Sequence, residues 1–278
     1  MRSRVCSWTF YCDTCDYWAA FLEQHICSRD DSIFSDERND AEIISFLDSI
    51  RIRNFNIILD QIIVGQGKQS LRILDIGCAS GLFIKTARNR GHIVIGVEPN
   101  PVMAKIASDK GFDVINGYFP SALLPASKFD VIIFNDVFEH IPDVNEILRN
   151  CNTFLHEQGM LVINLPNSDG VLFRIAKILM GLGIMGPWKR LWQVMFYTPH
   201  LHYFNNRSLD KLLDTHGFMN SSGTIKLEAL SLTGLWDRIS VDKSNDLFVR
   251  LSLYMGIILI YPVISIFDKD AFFSIYKK

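Results

Sequence analysis

The sequence predicts an α/β fold with a doubly wound, mostly parallel sheet, and three observations carry that expectation. Leu71-Arg-Ile-Leu-Asp-Ile-Gly-Cys-Ala-Ser-Gly-Leu82 reads as a short apolar strand ending near Asp75, a glycine turn from Gly77 to Gly81, and the start of a helix. A second apolar run, Ile93-Val-Ile-Gly-Val97, ends in Glu98, about 20 residues beyond the turn. Strand and helix patterns then alternate to about residue 165, the rhythm of parallel strands joined by right-handed crossovers.

The elements follow in order. Residues 1–39 form a polar, aromatic, cysteine-bearing segment. Within it, Cys12-Asp-Thr-Cys15 has the spacing of one zinc knuckle, but a structural zinc needs four ligands. Cys6, His25 and Cys27 are the nearby candidates, at irregular spacing, so the segment reads as reduced cysteines rather than a metal centre. A core domain is expected over residues 40–240. Its first helix, residues 40–64, carries Ile43, Ile44, Leu47, Ile50, Phe55, Ile58, Leu59 and Ile62 at helical spacing. Gly65-Gln-Gly-Lys-Gln69 leads into the first strand. After the fourth strand, Asp143 stands three residues before Glu146, a capping-box spacing, and Gly159 is expected just past that helix.

Residues 170–204 read as an inserted cap. Val171 to Tyr197 is apolar and aromatic, with Arg174, Lys177, Lys189 and Arg190 as its only charges. Such a segment suits a lid or a surface lying in a lipid headgroup layer, and equally a plain helical cap packed on the sheet. Residues 225–236 suit a late strand, and residues 241–278 read as an apolar helical extension. From Leu251 to Phe267 there are 17 residues without a charge. A bilayer span needs about 20, so this stretch, with Pro262 inside it, suits an interfacial segment or a packed hairpin better than a span.

Composition sets bounds. The chain has 278 residues and a formal charge of −2, with no basic stripe, which excludes a nucleic-acid-binding field. Hydrophobic residues make up 49% and the mean hydropathy is +0.16, on the apolar side for one α/β domain with appendages. The first residues lack the apolar core of a signal peptide, and six scattered cysteines form no secreted framework. A reducing cytoplasm is the expected compartment.

The glycine turn narrows the ligand. Gly77 and Gly81 permit positive φ and let a ligand approach the backbone. A dinucleotide site would read G-x-G-x-x-G, whereas here Ala79 takes the middle position and Asp75 precedes the turn. A carboxylate there repels a pyrophosphate but suits a ligand carrying an ammonium and a sulfonium. The pattern resembles motif I of the class I S-adenosylmethionine-dependent methyltransferases. Val97-Glu-Pro-Asn-Pro101, Phe129 to His140, Met160 to Asn167, and His200-Leu-His-Tyr-Phe204 with the following Ser208 to Phe218 are similar to later motifs of that family. The order and spacing resemble the small-molecule branch that includes ubiquinone-pathway O-methyltransferases, over roughly residues 40–235.

The resemblance implies a Rossmann-like methyltransferase fold with a seven-stranded sheet and S-adenosyl-L-methionine as cofactor. It implies that Asp75, Gly77, Cys78, Ala79, Gly81, Glu98, Pro99, Asn135 and Asp136 surround the cofactor, with Glu98 on the ribose hydroxyls. Asn100 is expected to cap the next helix, with Pro101 in its first turn. Where the family places an acid near the adenine, Asn116-Gly-Tyr-Phe119 offers none, and Tyr118 or Phe119 is the expected stacking partner.

Methyl transfer needs alignment, exclusion of water and, for a hydroxyl acceptor, a base. The candidates are His140, His202 and His200, with His202 slightly preferred as base. Glu139 is expected to orient a histidine or, as the resemblance suggests for some quinone-pathway relatives, to help hold a divalent metal; no resident metal is assigned. A hydrogen-bonded pair that only shapes the pocket is the competing reading of Glu139 and His140. The leading function is methylation, at oxygen, of a small or lipid-linked metabolite, with peripheral membrane contact. The alternatives are methylation of a soluble sugar nucleotide in surface-polysaccharide synthesis, to which the half-ribbon points, and a non-catalytic cofactor-binding, membrane-associated module.

Overall fold

A computed structural model describes residues 2–4, 8–21, 41–194, 198–227, 236, 246–264 and 269–278. Its centre is a seven-stranded sheet. The strands are β4 (Arg72–Ile76), β5 (Ile93–Glu98), β6 (Asp113–Asn116), β7 (Phe129–Asn135), β8 (Leu155–Pro166), β10 (Met219–Leu227) and β11 (Ala271–Lys277), in the order β10-β11-β8-β7-β4-β5-β6. Pairing is parallel from β8 through β6, and β11 runs antiparallel between β8 and β10. The strand order reverses around β4 and β7, and open α/β sheets bind ligands outside the carboxyl ends of such strands.

Two layers cover the sheet. One contains α1 (Ala41–Gln66), whose Phe55, Ile58, Leu59 and Ile62 pack with Ile73, Val131 and Val162 from the sheet. The other contains α4 (Val144–Phe154) and α7 (Asn206–Asp214), whose Leu148, Cys151, Leu209 and Leu213 meet Leu74, Ile132 and Leu161. Strands buried on both faces need apolar residues at nearly every position, which is why Val131 to Phe134 is an unbroken run.

Local signals produced the helix starts they suggest. The Asn100 side chain accepts from the amides of Val102 and Met103 at the head of α3 (Pro101–Asp109). Asp143 accepts from Glu146 N at 3.0 Å at the head of α4. The far end of α4 differs from expectation. The helix stops at Phe154, and Gly159 lies within β8, where Gln158 has φ 64°. The strand simply begins earlier than its apolar stretch, because Leu155 already pairs with Phe129.

The expected C-terminal helical extension is corrected more deeply. Leu247–Ile264 is helical (α8), but Ala271–Lys277 is strand β11, inserted into the middle of the sheet. Its side chains alternate between the two layers, Phe272 and Tyr276 toward one, Phe273 and Ile275 toward the other. Residues 271–277 therefore belong to the core domain rather than lying beyond residue 240. The late strand β10 ends at Leu227, so most of the 225–236 stretch expected to be strand lies outside the described residues. Among the described residues, no helix is long and apolar enough to cross a membrane.

The N-terminal segment is built into the cap. β1 (Arg2–Arg4), β2 (Thr9–Cys12), β3 (Tyr17–Ala20) and β9 (His202–Tyr203) form a second sheet. Cys12 ends β2 and Cys15 lies within the turn of the β2–β3 hairpin; Cys6, His25 and Cys27 lie outside the described residues. The insertion folds as α5 (Val171–Gly181) and α6 (Gly186–Leu191). Trp18, Phe173, Trp188, Trp192 and Tyr203 interlock as a third core with ring centroids 4.7–5.8 Å apart. Such edge-to-face pairs each add about 0.5–1.5 kcal/mol beyond area burial. The aromatic content of the insertion thus serves first to fasten cap to hairpin.

Candidate active site

The glycine turn sits at the carboxyl end of β4, against the end of β5. Gly77 N donates to Val97 O at 2.8 Å and Gly81 N to Cys78 O at 2.9 Å. Gly77 has φ 71°, and a Cβ there would lie 2.5 Å from Val137 Cγ2. Gly81 has φ 85°, and its Cβ would meet the Phe112 ring at 2.5 Å. Ala79 keeps φ 45°, so the turn retains its left-handed shape where the family's middle glycine is absent. Cys78 is buried, and burial pushes its thiol up.

Glu98 locks the turn. One carboxylate oxygen accepts from Ala79 N at 2.8 Å and the other from Asn100 N at 2.8 Å. These amides fix the carboxylate while leaving each oxygen a further lone pair. Asn116 donates to the carbonyls of Glu98 and Pro99 at 2.8 and 3.1 Å and so fixes this corner. Asp75 is buried beneath the turn, and its Oδ2 has no hydrogen-bond partner. Burial, helped by the nearby Glu98, raises its pKa to about 8. A buried carboxyl with an orphaned oxygen suits a cationic group arriving from outside.

The expected adenine partners separate. Tyr118 is 71% exposed and free to stack, whereas Phe119 is buried in the core with its ring 5.5 Å from Phe154. Phe119 thus packs against the core beside Tyr118. Asn135 ends β7 with both side-chain polar atoms buried and unpartnered, and Asp136 follows it with φ 54°. A left-handed non-glycine residue at a strand's carboxyl end marks backbone held by its surroundings.

The three histidines meet at one place. A single 3-10 turn, Phe138–His140, carries Glu139 and His140, and residues 199–203 lie alongside it. Three bonds join the two segments: Leu201 N to Glu139 O at 2.8 Å, His140 Nδ1 to Pro199 O at 2.9 Å, and His202 Nε2 to Ile141 O at 2.7 Å. The carbonyl partner sets the His140 tautomer, with the proton on Nδ1 and the lone pair on Nε2. His140 and His200 rings lie edge to face at 4.8 Å. His202 is engaged on both nitrogens, donating to Ile141 O and accepting from the Tyr17 hydroxyl. Burial lowers the pKa of all three; His200, also facing His140, falls to about 3. Burial beside Asp136 raises that of Glu139 well above the usual carboxylate range.

The family model described as a methyltransferase domain matches residues 47–222, more than half of the chain. The chain belongs to the methyltransferase-domain family. A ubiquinone biosynthesis O-methyltransferase of Bradyrhizobium diazoefficiens is 33% identical over 111 residues, covering 38% of this chain and 44% of that protein. One from Rhodopseudomonas palustris is 31% identical over 148 residues, 48% of this chain and 57% of the relative. The chain thus spans roughly half the length of these curated relatives. A cyclopropane synthase of Mycobacterium tuberculosis superposes with a TM-score of 0.55 at 14% identity, covering 79% of this chain and 84% of its own. An Archaeoglobus fulgidus S-adenosylmethionine-dependent methyltransferase gives 0.50 at 20% identity, covering 85% and 100%. At these identities the structures establish a shared fold.

Two features of this methyltransferase domain were missed in the sequence. Tyr17 reaches His202 from 185 residues away, and nothing local to either residue announces the pairing. Val137, which packs against Gly77, follows the fourth strand as an unremarkable aliphatic residue.

Proposed function

We propose that this protein is an S-adenosylmethionine-dependent methyltransferase acting at oxygen on a small hydrophobic or lipid-linked acceptor. The observation that carries the reading is the pairing of Asp75, buried with an orphaned oxygen, and Glu98, clamped by two amides, beside one glycine turn. When bound, the cofactor supplies a methyl group on a sulfonium that departs as a neutral thioether. Asp75 neutralises the cofactor's ammonium, Glu98 takes the ribose diol, and the amides of Gly77 to Gly81 border the methionine part. Tyr118 covers the adenine, and Asn135 and Asp136 line the floor.

The acceptor lies toward Glu139, His140 and His200. Because His202 is held on both nitrogens, it positions Tyr17 and the 3-10 turn, and the proton of an acceptor hydroxyl leaves at the Glu139–His140–His200 cluster instead. The O-methyltransferase names of the relatives support oxygen as the target. Exposed Leu172, Ile175, Ile178, Leu182 and Ile184 on the cap, in a stretch with basic but no acidic residues, support an apolar acceptor and peripheral contact with an anionic membrane. The reducing cytoplasm is the compartment in this reading.

Isothermal titration with S-adenosylmethionine and its demethylated product tests the core of the proposal. Micromolar binding is expected; no affinity for either ligand sinks every catalytic version. The hairpin carrying Cys12 and Cys15 favours the second reading, a soluble sugar-nucleotide acceptor. Flotation with phosphatidylglycerol-containing vesicles separates the two, since only the lipid-facing enzyme should float.

A further inference from the structure

The N-terminal hairpin carries two thiols that methyl transfer does not use. Cys12 stands opposite Tyr17 in the β2–β3 register, and Cys15 is exposed in the turn between them. Residues directly opposite in an antiparallel pair have Cβ atoms about 4.5–5.5 Å apart on one face, so Cys12 and Tyr17 are side-by-side neighbours. The Cys15 amide donates toward Cys12 Sγ, as do the Cys15 thiol and the Thr14 amide, and they hold the Cys12 thiol below its ordinary pKa. Cys15, engaged with Cys12, is pushed up instead. One thiol is thus disposed to attack as thiolate and the other to follow. Among the described residues no third thiol, imidazole or carboxylate completes a ligating cluster with the pair, whereas a structural zinc needs four ligands. A disulfide needs only these two.

The same turn is fastened to the acceptor half of the cleft. Thr14 O accepts from Lys211 Nζ at 2.9 Å. The Asp16 carboxylate accepts from the Tyr11 hydroxyl at 2.8 Å and from Asn205 Nδ2 at 2.7 Å. Lys211 lies in α7, and Asn205 caps that helix. Asp16 is held at φ 52°, in the left-handed region. Tyr17 follows it and donates its hydroxyl proton to His202 Nδ1, while His202 Nε2 donates to Ile141 O at 2.7 Å. The Tyr17 ring stacks on His202 and lies against Phe204, with centroids 5.9 and 5.0 Å away. The two sulfurs are therefore linked, through Tyr17 and His202, to the 3-10 turn that carries Glu139 and His140.

We propose that Cys12 and Cys15 form a reversible dithiol–disulfide site whose oxidation draws Tyr17 away from His202. The oxidant is a small disulfide such as oxidised glutathione. The Cys12 thiolate attacks one of its sulfurs, forming a mixed disulfide and releasing one glutathione thiolate. Cys15 then attacks the Cys12 sulfur, and the second glutathione leaves with the Cys15 proton. Two protein thiols are oxidised, and one glutathione disulfide is reduced to two glutathiones. The bridge demands a C–S–S–C torsion of about 85–100°, so the turn between Cys12 and Asp16 reshapes and its bonds to Lys211 and Asn205 loosen. Cys78 and Cys151 stay out, because burial pushes both thiols up. In a reducing compartment such a bridge is transient, which suits a sensor rather than a staple. Its effect on the acceptor site rests on the methyltransferase reading; the thiol chemistry does not.

The test equilibrates the full chain with mixtures of reduced and oxidised glutathione, quenches in acid and cleaves with chymotrypsin. Cutting after Tyr11 and Tyr17 isolates Cys12–Tyr17, a peptide holding these two cysteines and no other. As the oxidised fraction rises, this peptide should lose two hydrogen atoms, and dithiothreitol should restore them. In Cys15→Ser the peptide should carry a trapped glutathione; in Cys12→Ser uptake at Cys15 should be at least about tenfold slower. Hydrogen exchange over residues 199–204, which include the Leu201 amide bonded to Glu139 O, should quicken at least about threefold on oxidation. The double variant Cys12→Ser, Cys15→Ser should show no such change. A peptide that never loses its two hydrogens, from protein that circular dichroism shows to be folded, overturns the site. A bridge that forms without changing exchange at 199–204 overturns the link to His202. Titration with S-adenosylmethionine keeps the two readings apart: both redox forms should bind it equally, and failure of both removes the methyltransferase reading while the thiol result stands.

Discussion

Replacing Asp75 by asparagine changes the proton stoichiometry of cofactor binding. In the free protein burial holds the Asp75 carboxyl at a pKa of about 8, so at pH 6.5 it is almost wholly neutral. Pairing with the cofactor's ammonium favours the carboxylate, so binding releases about one proton at that pH. Because protons leave on binding, affinity rises with pH, with Kd falling by close to tenfold per unit well below pH 8 and less steeply near it. Because half of the carboxyl is already ionised at pH 8, the change over the 1.5 units from pH 6.5 to 8 is about 15-fold, or about 1.6 kcal/mol. The assay is calorimetric titration at pH 6.5 in two buffers of different ionisation enthalpy, followed by Kd at several pH values. Asp75→Asn should abolish both the buffer dependence and the pH slope. Tight binding by the wild-type protein with a buffer-independent heat at pH 6.5 would refute the pairing of Asp75 with the ammonium.

Three further outcomes are expected. Glu98→Gln should weaken cofactor binding by about ten- to a hundredfold in calorimetry, since charge-assisted bonds of about 1.5–3 kcal/mol are lost, while the fold persists. Gly77→Ala combines a left-handed backbone with a 2.5 Å contact to Val137 and should destabilise by about 2–4 kcal/mol in urea melts, with Val137→Ala restoring part of the loss. Trp192→Ala opens the cap core and should cost about 3–5 kcal/mol, read by the same melts; a change below 1 kcal/mol would mean that the cap is not packed as a core.

What was legible in the sequence was local. Asn100, Pro101 and Asp143 act within three residues of where they stand, so their pattern is their function. The corner of Gly77, Ala79 and Glu98 was legible because adjacent parallel strands bring their carboxyl ends together by geometry alone. Tyr118 and Phe119 stood as alternatives because Asn116 to Phe119 leaves the strand through a turn, where alternation no longer tells inside from outside. β11 was hidden by the apolar helix before it, since its buried Phe272 to Tyr276 reads as a continuation of the same hydrophobicity. The Tyr17–His202 bond depends on a hairpin docking against a strand far along the chain, which no window of sequence contains.

The position of β11 has a consequence for synthesis. β8 pairs with β7 on one side, but its other edge waits for a strand that begins roughly a hundred residues later. At ribosomal speeds of about 5–20 residues per second, that edge stays unpaired for about 5–20 s, and the apolar α8 emerges during the wait. An open, hydrophobic strand edge is a template for pairing with another chain. The nascent protein therefore passes through an interval of aggregation risk that the finished sheet conceals, and slower elongation across residues 167–270 lengthens it.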